Sequence, residues 1–100
     1  MARRLNSYAL TQRARDDLFD IFVFGFDQFG ERQAEIYAAG LERAFQILAE
    51  NPRLGRSAEA IAPGVFRHEH ASHVILYEES PFGVMILAIV HGSSVRRLTL

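Results

Sequence analysis

Residues 11–52, TQRARDDLFDIFVFGFDQFGERQAEIYAAGLERAFQILAENP, decide the fold. Thr11 is a residue type that caps a helix N-terminus, and Gly30 is one that ends a helix. At about 100° per residue, Ala14, Leu18, Ile21, Phe22, Gly25 and Phe29 fall on one side, and Arg13, Asp16, Asp20 and Asp27 fall opposite. This spacing predicts an amphipathic helix over 12–29. A second helix over 31–50 repeats the pattern, with Ala34, Tyr37, Ala38, Leu41, Ala44, Phe45 and Leu48 inward and Glu35, Arg43, Gln46 and Glu50 outward. The one-residue break at Gly30 folds the two back as an antiparallel hairpin, and Asn51-Pro52 stops the second helix.

Upstream, Leu5-Asn6-Ser7-Tyr8-Ala9-Leu10 alternates as a short strand does. Downstream, Arg53–Gly64 reads as an irregular crossover bounded by Pro and Gly. The hydrophobic period then changes to two, giving strands over 65–70, 73–78 and 84–91, with turns at Ala71-Ser72 and at Ser80–Gly83. The last strand is apolar on both faces, as for one lying inside the sheet with helices on one side and other chain on the other. Residues 92–100 are a tail with no evident structural signal. The expected order is β-α-α-β-β-β, an α+β fold in two layers with a helical hairpin packed on a mostly antiparallel sheet. It forms one domain over 1–100, with its core at about 4–91.

Composition narrows the function. The 100 residues are 49% hydrophobic and 23% charged, which is globular, and the absence of Cys excludes disulfides, thiolate metal sites and a thiol nucleophile. The longest apolar run, Val84–Val90, is far too short to span a bilayer, and the opening MARRLNSY lacks an apolar signal segment, so a cytoplasmic protein without membrane contact is expected. Residues 1–15 hold four Arg and no acid, whereas 16–50 hold eight acids against two Arg. With a net charge of −1, this is not the dense basic face of a domain that neutralises phosphates by itself.

No convergent catalytic set stands out. His68 and His70 share a strand face and His73 opens the next strand, a spacing that zinc can use; without a carboxylate behind them they read as residues on a solvated face near a turn, and neither a metal nor a cofactor is expected. Ser72, Ser80, Ser93 and Ser94 lack a nucleophile elbow. Asp16-Asp17 and Glu78-Glu79 diverge in direction and read as solvated charge or as complement to a helix dipole. Tyr77 reads as a core tyrosine with its hydroxyl at the core edge.

The more informative feature is apolar excess away from the core faces. Phe19 and Val23 are i,i+4 neighbours on the flank of the first helix, and Ile36 and Ile47 lie off the core face of the second. Either these residues form a partner surface, with Phe19 and Val23 lining a groove, or the helices are buried more deeply than one small sheet allows.

Several strings in order resemble the ParE toxins of the RelE/ParE toxin–antitoxin superfamily: Ala14-Arg15-Asp16-Asp17-Leu18 with Ile21-Phe22, Phe29-Gly30 with Gln33-Ala34 and Tyr37, Ala49-Glu50-Asn51-Pro52 with Leu54-Gly55-Arg56, Pro63-Gly64-Val65-Phe66-Arg67, His73–Tyr77, and Ile86–Val90 closing on His91-Gly92. The resemblance implies a toxin neutralised by a ParD-like antitoxin and directed at DNA gyrase, an inhibitor rather than an enzyme, with DNA contacted only through antitoxin or gyrase. Within that reading, the apolar excess and the acidic helix face nominate Phe19, Val23, Asp20, Asp27, Ile36 and Ile47 for antitoxin contact, and, with no family motif to transfer, Arg67, His68, His70, Arg96 and Arg97 are nominated for target contact. The alternatives are a RelE-like ribosome-dependent mRNA endoribonuclease and an inactive interaction module. Against the ribonuclease, Glu69 and Val74 stand where cations are expected, there is no Lys, and no Tyr follows Tyr77.

Overall fold

The computed structural model describes residues 6–97. Its elements are β1 (Ser7–Leu10), α1 (Gln12–Phe29), α2 (Glu31–Glu50), β2 (Arg56–Ser57), β3 (Val65–His70), β4 (His73–Ser80), β5 (Gly83–His91) and a 3₁₀ helix (Gly92–Arg97). The strands form one sheet in the order β1-β5-β4-β3-β2. β1 runs parallel to β5, and the remaining pairs are antiparallel. The two-layer α+β architecture expected from the sequence is therefore present, with the helical hairpin on one face.

The helices end where their caps dictate. The Thr11 hydroxyl accepts from the Ala14 amide at 3.0 Å, and the Asn51 amide closes α2 on the carbonyls of Ile47 and Leu48. Gly30 reverses the chain at φ 90°, a conformation that only glycine adopts cheaply.

A bulge explains why β5 is apolar on both faces. Leu76 pairs with Ala88 while Tyr77 pairs with Ile86, so Leu87 is an extra residue and the side-chain parity of β5 reverses there. Val84, Ile86 and Ile89 face the helices and pack with Leu41, Phe45, Leu48, Ile75 and Tyr77. Ala88 and Val90 face the other way, in a second core with Ala58, Val65, Val74 and Leu76.

The structure departs from the expected elements in three places, two of them built around that second core. The crossover is not irregular throughout, because β2 pairs with β3 and Ala58 is buried beneath the sheet. The 92–97 segment is a 3₁₀ helix whose Val95 covers the same face. β4 runs to Ser80 and β5 starts at Gly83, so the hairpin between them is tighter than a four-residue turn. Leu5, expected in the first strand, lies outside the described residues.

Tyr77 ties the crossover down. Its ring is fully buried and stacked on Phe66, while its hydroxyl donates to the Pro52 carbonyl and accepts from the Gly55 amide, both at 2.9 Å. Gly55 has no room for a side chain, since a Cβ there would sit 2.6 Å from both that hydroxyl and the Arg67 carbonyl. Tyr77→Phe keeps the packing but strands two backbone groups, and is expected to cost about 1–3 kcal/mol in a denaturant melt, with the crossover exchanging amide hydrogens faster than the sheet.

Candidate partner-binding surface

α1 is held to the sheet by its first half. The Thr11 hydroxyl donates to the Leu87 carbonyl at 2.8 Å, and the Asp17 carboxylate accepts from the Ile89 amide at 3.0 Å while pairing with Arg13. Asp17 is thus no purely solvated charge: it supplies an acceptor to an amide on the edge of β5. Past this anchor α1 is poorly covered, and Ala14 is its one fully buried residue.

α1 carries five of the eight phenylalanines, four of them in its second half at positions 22, 24, 26 and 29 and the fifth, Phe19, just before it. Phe19 is 65% exposed, Phe24 63% and Phe29 68%, with Val23 and Phe26 also exposed. On α2, Ile36 and Ile47 are exposed; 11 residues apart, they share a face three turns along the helix. The reading in which the helices are simply buried more deeply is therefore excluded for the free chain. Phe29, expected on the core side, is turned out because the hairpin end overhangs the sheet.

At that overhang lies an apolar groove of about 170 Å³, between Ile21, Phe22, Phe24 and Phe29 of α1, Tyr37 of α2 and His73 of β4. A second hollow adjoins it through Phe24, Phe29 and His73 and reaches Asp20 and His91. Phe19 and Val23 are exposed, as expected of a partner surface, but neither lines this groove; of the residues assigned to antitoxin contact, only Asp20 comes near, lining the adjoining hollow. Asp27 is exposed farther along α1. Sequence reasoning missed Phe24, Phe26, Tyr37 and His73. The available signal was density: a phenylalanine every two or three residues wraps more of the helix than one core face can cover.

His73 lines the groove and belongs to a row of histidines across the sheet. His70 and His73 are register partners across β3 and β4, and His73 and His91 across β4 and β5. The Tyr37 hydroxyl lies 2.7 Å from His73 Nδ1 and 3.3 Å from the His70 carbonyl, to which it donates. The His73 and His91 rings meet edge to face at 5.8 Å. Burial, then the nearby His91 and His70, hold His73 below the ordinary histidine value; burial and His68 do the same for His70. Burial pushes the Tyr37 hydroxyl up, so it remains protonated. His70 is half-buried against Gly40 of α2, which corrects its assignment to a solvated face. Among the described residues, no group of three or more His, Asp or Glu is placed to hold a metal ion.

The residues assigned to target contact are not brought together. Strand alternation puts His68 and His70 on the helix side of β3 and Arg67 on the opposite side, where it shares Glu69 with Arg56. The side chains of Arg96 and Arg97 lie outside the described residues. No helix among the described residues is long and apolar enough to cross a membrane.

Comparison with known proteins adds the following. The family described as the ParE toxin of the type II toxin–antitoxin system parDE matches residues 8–96. Toxin ParE1 of Caulobacter vibrioides is 33% identical over 89 residues, covering 89% of this chain and 92% of that protein. Among solved structures, a chain of the chromosomal ParDE system from P. aeruginosa superposes with a TM-score of 0.73 at 21% identity, over 90% of this chain and 98% of that one. A chain of the toxin–antitoxin complex RelBE2 from Mycobacterium tuberculosis does so with a TM-score of 0.62 at 26% identity, over 85% of this chain and 95% of that one.

The histidine row has a consequence for stability. His70 and His73 titrate lower in the folded chain than the 6.5 of the unfolded one, so the unfolded chain takes up more protons as pH falls. Stability is expected to be full above about pH 6.5, to fall as pH drops through the folded values, and then to level off for these two groups. Thermal melts from pH 8 to pH 5 check this, and His73→Asn should flatten the slope.

Proposed function

The chain belongs to the ParE toxin family of type II toxin–antitoxin systems, and on that premise we propose that it arrests growth by binding DNA gyrase in the cytoplasm, without breaking a bond itself, and that a ParD-like antitoxin neutralises it by covering the overhanging end of the helical hairpin. The observation that carries this reading is the exposed phenylalanine surface of α1. A monomer of this size rarely leaves so much aromatic surface in water unless a partner covers it. Antitoxin contact is assigned to Phe19, Val23, Ile36 and Ile47 together with the groove, and Asp20 and Asp27 supply charge by which a cognate partner is selected. Target contact is assigned to Arg67, Arg96 and Arg97 and to His68 and His70 at the end of β3.

Induced expression is expected to halt growth, with relief on co-expression of the antitoxin from the adjoining reading frame. Purified chain should inhibit gyrase supercoiling at micromolar concentration, and arrested cells should show no codon-spaced messenger RNA fragments. Such fragments with unimpaired supercoiling would instead indicate a ribonuclease of the RelE kind.

Phe19→Asp is expected to weaken antitoxin binding at least tenfold while leaving the far-ultraviolet circular dichroism and melting temperature near wild type, because an exposed side chain can accept a charge without disturbing the core. Unchanged affinity in a folded Phe19→Asp variant would remove Phe19 from the interface.

A further inference from the structure

His73 is the one histidine lining a mostly apolar groove, and several elements meet on it. From α2, Tyr37 is bonded to its Nδ1; from β3, His70 packs on the same tyrosine ring; from β5, His91 meets it edge to face; from α1, Asp20 borders the adjoining hollow. Ser72 precedes it in the turn and lines the groove as well. We propose that occupancy of this groove is coupled to the proton on His73, the neutral imidazole admitting an apolar segment of the antitoxin and the imidazolium expelling it. This rests on the reading that an antitoxin covers the hairpin end.

The physical argument compares the groups around the ring. Two of its neighbours, His70 and His91, become cations on protonation and oppose a charge on His73, and Tyr37 is neutral. Asp20 alone favours that charge, but it is solvent-exposed, where water and salt screen it. In the free chain the balance already disfavours the charged ring. An apolar segment laid over Phe22, Phe24 and Phe29 removes the remaining water from His73 and raises the cost of its charge further. The occupant is apolar because the walls are: aromatic rings on α1, with Ala34 and Ala38 on α2. The groove is also continuous with exposed Phe24 and Phe29, part of the same α1 surface assigned to the antitoxin.

By linkage, a complex that forms only with neutral His73 loses up to about tenfold in affinity per pH unit below the titration of the free ring. Calorimetric titration of the full chain with the antitoxin from the adjoining reading frame, at pH 7.5 and 5.5, reads this directly. Wild type is expected to bind measurably more weakly at pH 5.5 than at pH 7.5. His73→Asn keeps a polar atom near the Nδ1 position and cannot titrate, so its affinity should be equal at the two pH values. Equal or tighter wild-type binding at pH 5.5, or an undiminished pH effect in His73→Asn, would overturn the proposal. Absence of binding at pH 7.5 would instead overturn the functional reading beneath it. Should His73→Asn fold poorly, a nuclear magnetic resonance titration of the wild-type imidazole decides: a His73 midpoint lower in the complex than in the free chain is expected, and an equal or higher midpoint contradicts the proposal.

Discussion

β1 pairs with β5 only from Ser7 to Leu10, against Gly83 to Ile86. Beyond that register the polar groups on the edge of β5 still need partners, and α1 supplies them through the Thr11 hydroxyl at Leu87 and the Asp17 carboxylate at Ile89. The bulge at Leu87 and the first turns of α1 are therefore one device. It fixes where α1 begins and how it crosses the sheet, and so determines that its phenylalanine-rich second half runs past the sheet into water. The surface assigned to the antitoxin follows from a helix pinned at one end and longer than the sheet beneath it.

The same division separates stability from binding. The C-terminal half of α2, with Leu41, Phe45 and Leu48, closes the main core, and Tyr77 locks the crossover to the opposite edge. The hairpin end contributes little to either core. A partner that buries Phe24 and Phe29 adds to the stability of the whole chain by mass action, since it binds the folded form. On the proposed reading, the antitoxin that neutralises the chain also stabilises it.

Much of this architecture was legible in the sequence because local signals agreed with the global fold. Thr11, Gly30 and Asn51-Pro52 bound the helices where the structure places them, and the switch to a period of two located β3, β4 and β5. The short β2 pairing escaped notice because two residues, Arg56 and Ser57, carry no period, and the bulge because one extra residue is invisible without its partner strand. Asp17 looked like surface charge, since its partner is an amide 72 residues away. Exposure of Phe19, Val23, Ile36 and Ile47 was readable from helical angles, but the groove was not, because it joins α1, α2 and β4 across the fold. The histidines were visible as a group; what hid their arrangement is that register, not spacing, aligns His70, His73 and His91.

The central claim is that the end of the helical hairpin, and not the sheet edge, receives the antitoxin. Hydrogen–deuterium exchange of the full chain, free and saturated with antitoxin, tests it most directly. New protection should concentrate in the second half of α1, the first half of α2 and the turn before His73. Protection confined to β2 and β3, with the hairpin exchanging as in the free chain, would contradict the account.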